Sequence, residues 1–306
     1  MKTTEYANSL FEQPWWLDIV APGKWKELFV FDKNGEIIAR QAIAFDGNRV
    51  YMPKMTQTMG IWMSKNVNGD YGAQKRILQD LKEQMKVFRY IHFSLAPENQ
   101  YVLPYLWFQY SIEPRFTYRI NDLTNLEKLY EGLNKTAKKN IKAAKNKVSI
   151  SYEINFTELW EMLNATFKAQ NRKNPMSKQL VYDIVTMCER EQSGKYICAK
   201  DKEGNIHSCA YFVYDENVCY YLLGASDVKY RASGAQSLVL WEGIRFASEH
   251  SKVFDFEGSM IEGIENFFRQ FNCENTVYYD VYKRSLLSEF LHIVKPRIKR
   301  LIGYRL

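Results

Sequence analysis

The sequence predicts a mixed α/β fold with a mixed sheet, arranged as two tandem domains. Three observations predict it: short alternating strands joined by glycine-containing turns, amphipathic helices between them, and a second half that repeats the element order of the first in outline. Apolar residues make up 46% of the 306 residues and charged residues 25%, as in ordinary globular proteins. The predicted domains are residues 1–118 and 119–306.

The first predicted domain begins with a helix and continues as a meander of strands. Apolar residues recur at helical spacing within 71–88 and predict an amphipathic helix there. The predicted elements are a helix over 9–20, strands over 27–32, 36–45 and 49–52, a loop over 53–62, a helix over 71–88, and strands over 90–95 and 107–112.

A connecting strand over 116–121 leads into the second predicted domain, and one long helix over 124–147 follows, for which Asp122 to Thr124 supply the cap. The elements predicted after it are a strand over 148–154, helices over 156–170 and 178–192, strands over 195–200 and 206–214, a strand–loop–helix–strand unit from 220 to 257, a short helix and a strand over 276–282.

The predicted helix over 124–147 has two opposed faces. One is apolar, and the other is a lysine stripe without acids at the spacings that usually pair with lysines. A solvated face and a surface for an anionic partner both fit the pattern, and the lack of acids favours the partner. The apolar face is Ala137, Ile141, Ala144 and Val148, and the stripe is Lys135, Lys138, Lys139 and Lys142.

The net charge of +7 is concentrated in two stretches, residues 135–147 with +6 and residues 285–306 with +4, which leaves −3 for the remainder. The second stretch is amphipathic as well as basic. It is predicted to form a helix that packs on the first domain or lies peripherally on an anionic membrane surface.

Several classes of protein are disfavoured by composition. The five cysteines are odd in number and lack Cys-x-x-Cys spacing, and the four histidines lack ligand spacing, so neither a disulfide framework nor a metal site is predicted. The chain shows neither a signal peptide nor an apolar run of the ~20 residues that a membrane span needs. These features predict a cytoplasmic protein.

The unit from Tyr220 to Phe271 predicts a binding site. An apolar strand runs into a loop that carries Arg231 and Gly234, and a helix begins directly after it. Because the backbone N–H groups at a helix start lack internal partners, this arrangement predicts a place to hold an anion.

Motifs distributed over the chain point to a family. They are Phe11–Asp18, the loop Met52–Ile61, the basic helix Thr136–Ala144, Phe254–Ser259 and Phe267–Phe271. In order and spacing these stretches resemble the motifs of the FemAB-like branch of the GNAT-type acyltransferases, whose members carry two GNAT domains. The sequence departs from that pattern at three positions: Arg269 replaces a lysine, Asn272 replaces a glycine, and Gln236 occupies the last small position of the phosphate loop.

The resemblance implies transfer of an acyl or aminoacyl group to an amine. The implied donor is aminoacyl-tRNA or acyl-CoA, with no tightly bound cofactor, and the implied acceptor is an amine-bearing substrate such as a nucleotide- or lipid-linked muropeptide of peptidoglycan synthesis. A long side chain at Gln236 would obstruct a pyrophosphate, which disfavours CoA. The alternatives are an acyl-CoA-dependent N-acetyltransferase and a non-catalytic anion-binding scaffold.

The chemistry of such a transfer and the resemblance together select the site residues. The catalytic candidates are Glu257, Arg269 and Tyr221; the donor-binding candidates are Arg231, Gly234, Ala235 and Gln236; the substrate-binding candidates are Lys54, Lys138, Lys139, Lys142 and Asp255. Each group of candidates also has a purely structural interpretation.

Among the catalytic candidates, Glu257 and Asp255 are expected to share one face of a strand, where paired carboxylates raise the pKa of one of them. Asp255 instead fits a helix cap. Arg269 fits an anion contact or a surface pair with Glu265, and Tyr221 fits a general acid or a core tyrosine.

Overall fold

A computed structural model describes residues 3–258 and 260–284, so the predicted basic tail over 285–306 lies outside the described residues. By internal contacts the described chain divides into an N-terminal unit, residues 3–115 with 278–284, and a C-terminal unit, residues 116–277. The domain limits given above remain a prediction. Among the described residues, no helix combines the length and apolar character that crossing a membrane requires.

The N-terminal unit contains an antiparallel sheet in which β2 pairs with β1, β3 and β4. Its elements are α1 (Pro14–Val20), β1 (Trp25–Phe31), β2 (Ile37–Asp46), β3 (Arg49–Tyr51), β4 (Ile61–Met63), α2 (Tyr71–Gln84), β5 (Ile91–Ser94) and α3 (Leu103–Trp107). A single 3-10 turn, Leu10–Glu12, precedes α1. The predicted meander is confirmed.

The apolar face predicted for α2 forms the core of this unit. Ile77, Leu78 and Leu81 are buried, and so are Met85 and Phe88 just beyond the helix. Asp70 caps the helix by accepting a hydrogen bond from the backbone of Ala73, which satisfies one of the free N–H groups of the first turn.

The C-terminal unit is built on a sheet with the order β6-β11-β10-β9-β8-β7, in which only the β10–β11 pair is parallel among the pairings described. Its elements are β6 (Ser111–Ile120), α4 (Leu126–Gly132), α5 (Lys135–Lys145), β7 (Ser149–Ser151), α6 (Phe156–Ala169), α7 (Lys178–Arg190), β8 (Gly194–Lys200), β9 (Ile206–Tyr214), β10 (Val218–Ser226), α8 (Ala235–His250), β11 (Val253–Asp255), α9 (Glu262–Phe268) and β12 (Glu274–Lys283). Strands β6 and β12 begin or end in the N-terminal unit, where β12 pairs with β5.

Strand β10 parts from β11 partway along its length. The two strands pair only from Val218 to Tyr220, whereas β10 continues to Ser226. Beyond Asp255 the chain turns to β6, since the Phe256 N–H donates to the Tyr118 carbonyl oxygen at 3.0 Å. A bulge near Leu222 also interrupts the pairing of β10 with β9. The far half of β10 therefore borders an opening next to the start of α8.

Two sequence predictions of helices and strands were wrong in the middle of the chain. The strand predicted over 107–112 covers the end of α3 and the start of β6, so the strand predicted over 116–121 is the end of a ten-residue strand. The single helix predicted over 124–147 is two helices, because the chain leaves helical geometry at Leu133 and the Asn134 side chain caps α5. Asn125 caps α4 in the same way.

Two further differences are local. The loop predicted over 53–62 ends in β4, whose pairing with β2 has no signal in the sequence. The strand predicted to reach Glu257 ends at Asp255, because Glu257 has a φ of +59° and its N–H folds back onto the Asp255 carboxylate at 2.7 Å.

Candidate functional site

The loop before α8 is shaped by Gly234. Its φ of +79° makes it a left-handed N-cap, and a Cβ there would lie 2.3 Å from the carbonyl oxygen of Asn140 on α5. Only glycine therefore allows α5 to approach the loop so closely. The contact places the lysine-bearing helix directly against the start of α8, and Lys147 also reaches the Ala232 carbonyl oxygen at 3.4 Å.

A cavity of about 130 Å³ lies at the start of α8, in the opening beside β10. Its lining includes three of the four donor-binding candidates, Arg231, Ala235 and Gln236. The sequence reasoning missed the residues that line the rest of it, which are Thr166, Ala169, Gln170, His207, Gly224, Ala225, Ser226, Asp227, Val228, Tyr230 and Ser233.

Tyr221 lies at the edge of this site through its contact with Gln236. Burial raises the pKa of Tyr221 to about 12, and a hydrogen bond with Gln236 partly offsets the effect. The hydroxyl packs over Gly224, where a Cβ would come within 1.7 Å of it. A neutral phenol at physiological pH is a proton donor, as a general acid must be.

His207 is one of the titratable side chains of the cavity that the sequence reasoning did not select, together with Asp227 and Tyr230. Its Nε2 lies 3.2 Å from Asp201 Oδ2, its ring stacks on Tyr230 with centroids 3.8 Å apart, and its buried Nδ1 has no hydrogen-bond partner among the described residues. The hydrogen bond from the Asn205 side chain is the largest of the causes that lower the pKa of Asp201 to about 2. This carboxylate is therefore ionised beside the His207 ring. The sequence did contain a signal for this pair, because Asp201 and His207 lie on opposite sides of the turn between β8 and β9.

Asp255 is fully buried and already engaged. Its Oδ1 accepts hydrogen bonds from the Thr117 hydroxyl at 2.6 Å and from the Glu257 N–H, while its Oδ2 pairs with Arg119 Nε at 2.8 Å. These contacts satisfy a charge that would be costly to bury alone. The geometry supports a structural role for this side chain.

Glu257 is half-buried and lies just after that carboxylate. Burial raises its pKa well above the usual value, and the charge of Asp255 raises it further. The positive φ means that the two acids do not share a strand face by simple alternation, as the sequence reasoning had assumed. The expected electrostatic consequence, one raised carboxyl pKa, nevertheless appears at Glu257.

Arg269 follows α9 and faces solvent. Its side chain is 61% exposed, its Nε lies 3.9 Å from Glu265 Oε2, and its guanidinium also donates to the Asn266 side chain. This is the surface pair that the sequence offered as the structural interpretation. The same turn contacts the start of α5, because the Asn134 N–H donates to the Gln270 carbonyl oxygen at 3.0 Å.

The lysine stripe lies on the exposed side of α5, as predicted, while Ala137, Ile141 and Ala144 are buried. Lys139 and Lys142 are exposed, and neither forms an ion pair among the described residues. Lys138 donates to the Glu131 carbonyl oxygen at 2.6 Å. Lys54 is an exposed turn residue of the N-terminal unit.

The structure therefore brings together part of the predicted site. The donor-binding loop, Tyr221 and the helix with the lysine stripe meet at the start of α8, whereas neither Glu257 nor Arg269 lines the cavity. Within the described part of the chain, no group of three or more potential metal-binding side chains comes together.

Comparison with known proteins identifies the fold. Residues 134–269 match the family model described as the acetyltransferase (GNAT) domain. The chain is similar to FemX, with 12% identity, a TM-score of 0.68, and coverage of 88% of this chain and 91% of that one. It is also similar to a tandem GNAT protein from the clavulanic acid biosynthesis pathway, with 10% identity, a TM-score of 0.53, and coverage of 89% and 94%.

A third similar structure is the C-terminal domain of a putative lysylphosphatidylglycerol synthetase from Agrobacterium fabrum, with 9% identity, a TM-score of 0.56, and coverage of 95% of this chain and 93% of that one. No curated protein matches the sequence. The GNAT-type fold that the motifs indicated is confirmed, since the family model matches residues 134–269 and the similar structures share the fold over most of the chain.

Proposed function

We propose that this protein transfers an aminoacyl group from aminoacyl-tRNA to the amine of a cell-envelope precursor, such as a nucleotide- or lipid-linked muropeptide. One observation carries the proposal: helix α5, which carries the acid-free lysine stripe on its exposed side, packs through its backbone at Asn140 directly against the loop that begins α8. A polyanionic donor bound along α5 would thus present its acyl end to the cavity beside β10.

The similar structures support this choice of chemistry. One of them is the C-terminal domain of a putative lysylphosphatidylglycerol synthetase, whose name denotes a lysyl group joined to a phospholipid, and the matches to it and to FemX cover 95% and 88% of this chain. For this chain the acceptor remains part of the proposal.

The reaction requires one bond to form and one to break. The acceptor nitrogen attacks the carbonyl carbon of the donor ester, and the bond from that carbon to the tRNA oxygen breaks. Glu257 lies outside the cavity lining and is assigned the proton that the attacking amine loses because its pKa is raised, and Tyr221, which contacts Gln236 at the cavity, protonates the departing oxygen. The free N–H groups at the start of α8 stabilise negative charge in the cavity.

The lysines favour tRNA through their number and their lack of partners. Lys139 and Lys142 lie one turn apart on an exposed face, so they repel each other unless an anion lies across them. Phosphates along a nucleic acid backbone neutralise such a stripe, and binding of this kind weakens as salt is added.

A second candidate function, acyl-CoA-dependent N-acyl transfer, is favoured by the start of α8 itself. Arg231 and the left-handed Gly234 form part of a loop that precedes a sixteen-residue helix, an arrangement suited to a pyrophosphate. Gln236 opposes it, because its side chain lines a cavity of only about 130 Å³. In this variant of the reaction the breaking bond is the carbon–sulfur bond of the thioester.

The test supplies both donors to the full-length protein and measures acyl transfer to an amine-bearing muropeptide. The double variant Lys139→Gln/Lys142→Gln should lose at least about tenfold in kcat/KM with aminoacyl-tRNA. The matched control is Lys178→Gln/Lys202→Gln, which removes two exposed lysines elsewhere in the same unit. Arg231→Ala should reduce transfer from either donor, and Arg245→Ala, on the exposed side of α8, should not.

Transfer from acetyl-CoA that is unaffected by the loss of Lys139 and Lys142 would favour the second candidate. Binding of tRNA without transfer from any donor would indicate a non-catalytic scaffold and would rule out both reactions.

A further inference from the structure

The N-terminal unit contains a larger cleft that none of the chemistry above uses. Its volume is about 500 Å³, within the range of small-molecule sites in proteins. The walls come from the end of β2, from β3 and β5, and from the last residues of the described chain at the end of β12. All of the lining residues belong to the N-terminal unit.

Positive charge dominates the lining. Four cations face one carboxylate, that of Asp46, which pairs with Lys24 at 2.8 Å. Arg284 pairs with Glu113 at 2.7 Å, and even with this second acid counted the balance stays positive. The four cations are Lys24, Arg49, Lys283 and Arg284.

Aromatic rings form the other component of the lining. The Tyr282 ring lies between the His92 ring, with centroids 4.3 Å apart and planes within 11°, and the Arg284 guanidinium, 3.6 Å from its centroid. Such a stack holds the guanidinium in one orientation, which favours bidentate contact with a phosphate. Tyr51 and Tyr90 add two further rings to the walls.

A buried carboxylate supports this stack. Asp280 accepts hydrogen bonds from the Ser94 hydroxyl at 2.5 Å and the Tyr282 hydroxyl at 3.1 Å, and its Oδ2 lies 3.7 Å from His92 Nε2. His92 and Tyr282 are opposite each other in the β5–β12 pair, and Asp280 is opposite Ser94 two residues along the same pair. One acid thus holds both ring residues. The stack of His92, Tyr282 and Arg284 is therefore formed without a ligand, which lowers the entropy cost of ligand binding.

We propose that this cleft binds a nucleotide-class ligand, that is, a phosphorylated small molecule whose planar ring packs against the aromatic wall at Tyr51 while its phosphates contact the arginines and lysines. Cations alone would suit any anion, and rings alone would suit any apolar ligand. Their combination in one cleft selects a molecule that carries both groups. The proposal goes beyond the acyl transfer proposed above and does not rest on it.

The chain offers a matched pair of arginines for the test. Arg49 and Arg89 both lie over the Tyr90 ring, with the guanidinium carbons 5.3 and 5.7 Å from its centroid, but only Arg49 lines the cleft. Both side chains are exposed, so neither substitution should affect folding.

The experiment is titration calorimetry of the full chain at low salt with ADP, UDP and inorganic pyrophosphate. We expect ADP or UDP to bind more tightly than pyrophosphate, and Arg49→Ala to weaken that binding by about tenfold, the loss expected for one charged hydrogen bond. Arg89→Ala should change it less than twofold. Added salt should weaken binding to the wild type more than to Arg49→Ala.

Three outcomes would overturn the proposal. The first is no nucleotide binding, and the second is pyrophosphate binding as tightly as the nucleotides. The third is nucleotide binding that survives Arg49→Ala but is lost in Arg231→Ala, which would place the nucleotide at the start of α8. Because the readout is binding and not acyl transfer, an inactive protein can still pass this test.

Discussion

The positive-φ glycines of the two units differ in their surroundings. In the N-terminal unit a Cβ added at any of the described ones would have nothing within 4 Å, which holds for Gly23, Gly35, Gly47 and Gly69. In the C-terminal unit a Cβ at Gly204 would likewise meet nothing within 4 Å, but a Cβ at Gly234 or Gly258 would lie 2.3 Å from the Asn140 carbonyl oxygen or 2.7 Å from that of Phe116. Gly234 and Gly258 both adjoin proposed site residues.

Buried and half-buried carboxyl groups differ in the direction of their pKa shifts, and a raised pKa occurs in the N-terminal unit too, where burial raises the pKa of Glu12. In the N-terminal unit burial raises the pKa of Asp280, but its interaction with His92 and the hydrogen bond from Ser94 outweigh burial and hold the pKa below its usual value. In the C-terminal unit burial and the neighbouring Asp255 raise the pKa of Glu257. A left-handed glycine in close backbone contact is thus found beside proposed site residues of the C-terminal unit, whereas raised carboxyl pKa values occur in both units.

The largest expected effect tests the glycine half of this contrast. Gly234→Ala should lower the free energy of unfolding by at least about 3 kcal/mol, because a strained φ and an overlap with Asn140 add together. Gly35→Ala, at a φ of +85° in open space, should cost about 1 kcal/mol. Chemical denaturation measures both, and equal losses would remove the contrast.

Asp280→Asn tests how much the hydrogen-bonded carboxylate of Asp280 stabilises the fold. It should lower the free energy of unfolding at pH 7 by about 2 kcal/mol, since hydrogen bonds to a charged acceptor are lost. A carboxyl group whose folded pKa is lowered stabilises the protein above the ordinary aspartate pKa, about 4, and this stabilisation is lost as the pH falls. The difference between wild type and variant should therefore shrink below about pH 4; a constant difference would contradict the assignment.

Glu257→Gln should act in the opposite direction. A carboxyl group whose folded pKa is raised favours the folded state below its ordinary pKa, and this contribution is lost as the pH rises through the folded pKa. The variant should therefore be more stable than the wild type by about 1 kcal/mol at pH 8 and nearly equal to it near pH 4. Unfolding curves at the two pH values measure this, and destabilisation at pH 8 would show that the side chain is structural.

The same substitution should lower kcat by about 100-fold if Glu257 is the general base. In the wild type, kcat/KM should rise with pH through the raised pKa of Glu257. A variant that is more stable but nearly inactive would be the clearest sign that the charge is retained for function. Unchanged kcat in a folded variant would remove Glu257 from the mechanism.

Gln236→Ala should have the smallest effect on stability, a loss of about 1 kcal/mol, because the exposed side chain lines a cavity and gives up one hydrogen bond with Tyr221. It enlarges the space at the start of α8 without altering Gly234. If a pyrophosphate can bind there, CoA should raise the melting temperature of the variant more than that of the wild type. An equal response would show that Gln236 is not the obstruction.

The sequence determined those elements whose signals are local. The helical period of 71–88 predicted the buried side of α2, β9 was predicted at the residues where it lies, and the opposed faces of α5 were predicted residue by residue. The order of motifs was enough to indicate the GNAT fold, because each motif is a short run of adjacent residues.

Only the tertiary structure decided which of these elements meet. The contact of Gly234 with Asn140, the engagement of Asp255 by Thr117 and Arg119, and the presence of His207 in the cavity each join residues far apart in the chain. The cleft of the N-terminal unit likewise combines Lys24 with residues near the end of the described chain. Periodicity and spacing report the neighbours of a residue along the chain, whereas burial, charge balance and cavity shape depend on neighbours in space.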